Sequence, residues 1–198
     1  MALPYDPLNY ENLARSVVAA LLERPATPLP PDTPFDGNGV YAIYYTGSLP
    51  CYAAVSSSRL LVPIYVGKAV PAGGRKGGGE GDRGAALFRR LAEHAKSISQ
   101  TENLRLTDFR CRHLVVVPVW ITLAERFLID HFRPVWNTCL DGFGNHDPGK
   151  GRKDMKRPRW DTLHPGRDWA ARLKADESPS ALEETVRRHV AGSIPPGW

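Results

Sequence analysis

The side chains of this chain that could do chemistry fall in a few places. Arg90 and His94 stand four residues apart in Phe-Arg-Arg-Leu-Ala-Glu-His, so on a helix they are neighbours on one face. A guanidinium fork suits a phosphate or carboxylate, and an imidazole with a reference pKa of ~6.5 suits proton transfer near neutrality. Glu125 closes Thr122-Leu-Ala-Glu, a capping-box pattern whose carboxylate could return a hydrogen bond to a helix start. Lys150, Arg152, Lys153, Lys156, Arg157 and Arg159 form a basic run against Asp154 alone, which suits phosphate contacts. Gly79, Gly81 and Gly84 fit G-x-G-x-x-G. A dinucleotide loop should leave its strand at once, however, and about a dozen residues intervene here, with no Gly-Lys-Ser/Thr, so no nucleotide cofactor is expected. Cys51, Cys111 and Cys139 are odd in number, with no C-x-x-C pair and no histidine at zinc-ligand spacing. Neither a zinc centre nor a disulfide framework is expected, and a reducing, cytoplasmic compartment fits.

These residues need a scaffold. Leu13, Val17, Ala20 and Leu21 recur at helical spacing between Asp6-Pro7 and Pro25, so residues 8–24 read as an amphipathic helix. Arg24 to Pro34 is too proline-rich for a helix or a central strand and reads as an extended connection. Gly37-Asn-Gly signals a turn, and Val40, Tyr41, Ile43, Tyr44 and Tyr45 have the composition of a buried strand. Leu60–Val66 reads as a second strand, joined to the first as an antiparallel hairpin with a long loop. Pro71–Gly84, with seven glycines, reads as a mobile loop. Leu87, Phe88, Leu91, Ala95 and Ile98 form one stripe and predict a helix over 85–99; His94 lies between the centre of that stripe and Arg90. The pairing with His94 favours Arg90 over the adjacent Arg89. A third strand is predicted over Arg112–Trp120, with Pro118 suggesting an edge or a bulge, then a helix over Thr122–Phe132 and a last helix over Ser180–Val190 closed by Gly192.

The length fits one domain with extensions, and the 42% hydrophobic share supports a core. The longest nearly apolar run, Leu114–Ala124, is far short of the ~20 residues of a spanning helix, so no membrane partner is expected. The net charge is +5, with the first 36 residues acidic on balance and the remainder basic, an asymmetry that suggests a polyanion partner.

Gly39-Val40-Tyr41 and Tyr65-Val66-Gly67-Lys68, followed by Arg90 and His94, then Glu125, then Asn137 in Arg-Pro-Val-Trp-Asn, resemble the GIY-YIG nuclease superfamily over roughly residues 37–140. Val replaces Ile in both strand motifs, a small change in a buried strand. The resemblance implies an α+β fold, a small mixed or antiparallel three-stranded sheet flanked by helices. It divides the chain into an N-terminal helical arm and proline-rich connection (1–36), a catalytic core with the glycine-rich insertion 71–84 (37–140), and a basic C-terminal extension (141–198).

It also implies phosphodiester hydrolysis of double-stranded DNA. Glu125 would hold one Mg²⁺, or Mn²⁺ in its place, and Arg90 would fork onto the scissile phosphate. Tyr41 would contact the attacking water, with His94 as proton acceptor either directly or through Tyr41. Tyr65 and Asn137 would position water, phosphate or the metal-binding carboxylate. Lys68, Arg152, Lys153, Lys156, Arg157 and Arg159 are the expected DNA contacts. In its length and additions the chain resembles the type II restriction branch of the superfamily, particularly the group cutting CCGCGG. That branch implies a homodimer on DNA, with the N-terminal helix either at the dimer contact or packed on its own domain, and a companion DNA methyltransferase. Other readings are a homing or repair nuclease and a non-catalytic DNA-binding protein on the same fold.

Overall fold

A computed structural model of the chain describes residues 8–70, 84–145, 147 and 155–193. The expected glycine-rich loop lies almost wholly outside these residues. The central strand β2 (Gly39–Tyr45) is buried along its whole length, which is why its sequence is an almost unbroken β-branched and aromatic run. Antiparallel to it on one side lies β3 (Tyr65–Ala69), with Tyr41 opposite Gly67, and on the other lies β4 (Phe109–Val115), with Tyr41 opposite His113. The β2–β3 pairing is the long-looped antiparallel hairpin that the sequence predicts.

The sheet has four strands where three were expected, in the order β1-β4-β2-β3. The addition, β1 (Thr27–Pro28), comes from the proline-rich connection and pairs Thr27 with Cys111 and Pro28 with Arg110. A strand this short at a sheet edge tolerates its proline. Two other predicted strands shift. β3 starts at Tyr65 rather than Leu60, because Leu60 sits at φ 53 and Pro63 lies just before the strand. β4 ends at Val115 and lies between β1 and β2; Pro118 instead opens a 3₁₀ turn, Pro118–Trp120.

Strand alternation sorts the side chains onto two faces. Val40, Ala42, Tyr44 and Val66 pack with α1 (Tyr10–Leu22) and α3 (Ile121–Phe132). Val18 and Leu21 are the buried residues of α1 and pack on its own domain, one of the two placements expected for this helix. Tyr41, Ile43 and Tyr45 share the opposite core with Leu87, Leu91, Ala95 and Ile98 of α2 (Ala86–Ser99). That core continues into the C-terminal extension. Besides α4 (Val135–Thr138), it takes in Trp160 and Leu163 of α5 (Arg159–Leu163). After α6 (Asp168–Ala171), it ends with Leu182, Val186 and Val190 of α7 (Pro179–Ser193), which runs on through Gly192.

A buried polar chain ties the 48–58 loop to this extension. Trp136 Nε1 donates to Tyr52 Oη at 2.9 Å, Tyr52 lies 2.6 Å from His164 Nε2, and His164 Nδ1 lies 2.9 Å from Asn103 Oδ1. An indole can only donate, so the hydrogens run in one direction along the chain with His164 neutral. Burial pulls the His164 pKa down to about 3.

Candidate active site

On β2, alternation turns the Tyr41 ring toward α2. The position opposite it must be empty of side chain: a Cβ on Gly67 would lie 2.4 Å from Tyr41 Oη and 2.6 Å from its Cζ. The Tyr41 phenol therefore occupies the space that the glycine of β3 leaves. His94 comes from the buried stripe of α2, and its Nε2 lies 2.5 Å from Tyr41 Oη. Each residue is only 1% exposed. Burial, reinforced by the Tyr65 phenol and opposed by Arg90, raises the Tyr41 phenol well above its ordinary pKa. Tyr41 is therefore a neutral phenol at any working pH.

Tyr65 starts β3 and faces the same side, its ring 6.2 Å from that of Tyr41 and 5.2 Å from that of His94. Burial raises its phenol, Arg90 lowers it, and the Glu125 charge raises it again. Arg90 is half-buried and turned inward, whereas Arg89 is exposed, as the helical stripe predicts. Its Nη1 lies 2.8 Å from the Glu93 carboxylate and its Nη2 donates to the Gly144 carbonyl at 3.2 Å. Tyr41, Tyr65, Arg90 and His94 thus form one cluster between sheet and helix.

Glu125 reaches this region from the other face of the edge strand. Its carboxylate is held by Lys68 Nζ at 2.7 Å, with both side chains partly exposed. The capping-box reading does not hold: α3 begins after Trp120, no side chain caps it, and Thr122 is exposed in the first turn. Glu125 is therefore free of that duty. Lys68, expected on a phosphate, pairs with Glu125.

Asn137 Oδ1 accepts from Val66 N at 2.8 Å and its Nδ2 donates to Val66 O at 2.8 Å, so the amide holds the backbone of β3. Of the basic run, Lys150, Arg152 and Lys153 lie outside the described residues. Lys156 pairs with Asp176 at 2.7 Å and Arg159 with Glu177 at 2.6 Å, and Arg157 donates to the Ala170 and Ala171 carbonyls. These three cations hold the C-terminal extension to itself.

Two contributors were not legible in the sequence. The Phe143 ring stacks on His94 at 4.5 Å with 18° between the planes, and Gly144 supplies the carbonyl that takes Arg90. Neither residue type carries a chemical signal, and both lie in a loop joined to the cluster only by tertiary packing.

Among the described residues, no three His, Cys, Asp or Glu side chains converge as a metal cage. A single partly exposed carboxylate suits a hard cation of the Mg²⁺ kind, which keeps several waters and takes further ligands from substrate phosphates. Glu125 fits that description.

A sequence model for the family described as Eco29kI GIY-YIG domain matches residues 33–190, a span that includes every side chain of the cluster. No curated protein matches the chain.

Proposed function

Because the chain belongs to the Eco29kI GIY-YIG family of nucleases, we propose that it is a type II restriction endonuclease hydrolysing phosphodiester bonds of double-stranded DNA at a palindromic, G/C-rich site of the CCGCGG type. The observation that carries this reading is the 2.5 Å contact between Tyr41 Oη and His94 Nε2, with Arg90 beside it on the same helix.

The chemistry divides among the side chains as follows. In this reading His94 carries its hydrogen on Nδ1, so the neutral Tyr41 donates its Oη hydrogen to Nε2 and a lone pair of the oxygen faces the site. When an attacking water gives its proton to Tyr41 Oη, the phenolic proton passes to His94 Nε2; the phenol ends neutral and the imidazole charged. The relay avoids a phenolate, which burial penalises. Arg90 exchanges Glu93 for the non-bridging oxygens of the scissile phosphate, where a fork is stronger than a point charge. Tyr65, with its phenol near both Arg90 and Glu125, orients the phosphate by hydrogen bonding. Glu125 would hold the divalent cation, which when bound neutralises phosphoryl and leaving-oxygen charge. With Glu125 so engaged, Lys68 would be placed to contact a backbone phosphate. Asn137 acts through β3, fixing the strand that presents Tyr65, Gly67 and Lys68.

Cutting both strands of a palindrome calls for two such sites related by a two-fold axis, so the active species is a homodimer on DNA. A host that carries such an enzyme protects its own sites with a methyltransferase. Supercoiled plasmid with and without Mg²⁺, followed by mapping of the ends on a random-sequence library, tests the whole reading. Linear product with ends at one palindromic site is expected. Nicked circles as the main product at saturating enzyme would overturn the symmetric dimer, and binding without cleavage in Mg²⁺ or Mn²⁺ would leave a non-catalytic DNA-binding protein.

A further inference from the structure

Arg167, which precedes α6, is only 2% exposed in its side chain and pairs with Asp161 of α5, itself 1% exposed. Its Nε and Nη2 donate to the two oxygens of the Asp161 carboxylate. Nη2 also donates to the Gly142 carbonyl at 3.0 Å, and Nη1 donates to the Asn145 carbonyl at 2.9 Å and the Phe143 carbonyl at 3.4 Å. All five donors of the guanidinium are engaged. Its plane lies against Trp160 at 4.7 Å and Trp169 at 4.8 Å.

The consequence is a sorting of one short loop. Carbonyls 142, 143 and 145 turn toward Arg167, and the carbonyl between them, that of Gly144, turns the other way and takes Arg90 Nη2. The same loop places the Phe143 ring flat on His94. A buried ion pair adds little net stability over a well-packed apolar replacement, so what this one supplies is geometry.

We infer that Arg167 is a positioning residue for the reaction: from the C-terminal extension it sets the 142–145 loop, and through it the orientation of Arg90 and His94. This rests on the reading of Tyr41, Arg90 and His94 as the reacting site. A lysine at 167 keeps the charge but has three donors and no fork, so it cannot hold the carboxylate and three carbonyls together.

The test compares Arg167→Lys, Phe143→Leu and the double variant with wild type. It reads single-turnover cleavage in Mg²⁺, the pH midpoint of that rate, DNA affinity by anisotropy, and the folded fraction by circular dichroism at the assay temperature. Arg167→Lys should slow cleavage by about tenfold to a hundredfold, shift the pH midpoint, and leave affinity and folded fraction near wild type. The double variant should be no slower than the slower single variant, because both substitutions break one linkage. If Arg167→Lys does not fold, Asp161→Asn loosens the same guanidinium with less change of shape and takes its place. A rate loss no larger than the loss of folded protein with an unmoved pH midpoint, or losses that multiply in the double variant, would overturn the inference. Tyr41→Phe and His94→Ala separate the two levels: if both cut like wild type, the site itself is misassigned, and if both are dead while Arg167→Lys is normal, only the positioning role fails.

Discussion

Replacing Gly67 by alanine tests the Tyr41–His94 pair without touching either residue. The added methyl would stand 2.4 Å from Tyr41 Oη, 2.6 Å from its Cζ and 3.0 Å from Tyr65 Cε1. Ordinary contact begins near 3.4 Å, so the phenol must retreat by about 1 Å. It has nowhere easy to go, because Tyr41 is 1% exposed and its oxygen is already 2.5 Å from His94 Nε2. Overpacking of this kind costs about 1 to 3 kcal/mol of stability, while an ångström of misplacement at reacting groups costs about a hundredfold in rate. Gly67 has no left-handed backbone to protect, so the perturbation is steric alone. The expected result is a protein that melts a few degrees lower, binds DNA as before, and cleaves about two orders of magnitude more slowly under single-turnover conditions. A Gly67→Ala enzyme that cuts within threefold of wild type while folded would refute the reasoning: the phenol would not need to be where β3 leaves room for it.

Glu125→Gln should abolish cleavage in Mg²⁺ while binding and folding persist, since it removes the carboxylate proposed to hold the cation; cleavage at wild-type rate would end the metal-ligand assignment. In the same series Thr122→Ala should change stability by less than about 0.5 kcal/mol, as expected of an exposed residue that caps nothing. Arg90→Ala should lose far more activity than Arg89→Ala, and equal losses would remove Arg90 from the site. For His164 the sign follows from its folded pKa of about 3 against an ordinary value of 6.5. The unfolded chain takes up the proton first, so this contribution is complete above pH 6.5 and declines, by about 1.4 kcal/mol per pH unit, as pH falls toward 3. Denaturant melts from pH 7 to 4 should show that slope, flattened in His164→Gln; an unchanged slope in the variant would assign the acid sensitivity to other groups.

How far the sequence could be read depended on how local each signal was. β2 and α2 were legible because composition and a 3.6-residue stripe are local properties, and the four-residue spacing to His94 favoured Arg90 over Arg89. Strand ends were less so: Leu60 and Pro63 look like strand material or an edge until the chain is seen to turn there. β1 was hidden because its two residues gain their partners only from β4, far along the chain. In the candidate site, Tyr41, Tyr65 and His94 cluster as their elements suggested. Asn137 was read from its place in a motif and the basic run from its charge, and neither reveals that the amide closes on Val66 or that Lys156 and Arg159 face acids. Phe143 and Arg167 gave no warning, since an ordinary aromatic and an ordinary arginine become positioning groups only through a loop that folds back from the C-terminal extension.

The two edges of the sheet carry a consequence for self-association. On the β3 side, Ile64 O accepts from Trp136 N at 3.0 Å, and Val66 exchanges two hydrogen bonds with the Asn137 amide, so α4 stands where a neighbouring strand would pair. On the opposite side, β1 is two residues long and ends in proline. Unpaired strand edges are the usual templates for intermolecular sheets and aggregation. Here the β3 edge is plugged by a side chain imitating a backbone, and β1 covers the β4 edge only at Arg110 and Cys111. The β3 edge is therefore closed to a second copy at Ile64 and Val66, and removing the Asn137 amide would uncover a site there for cross-chain strand addition.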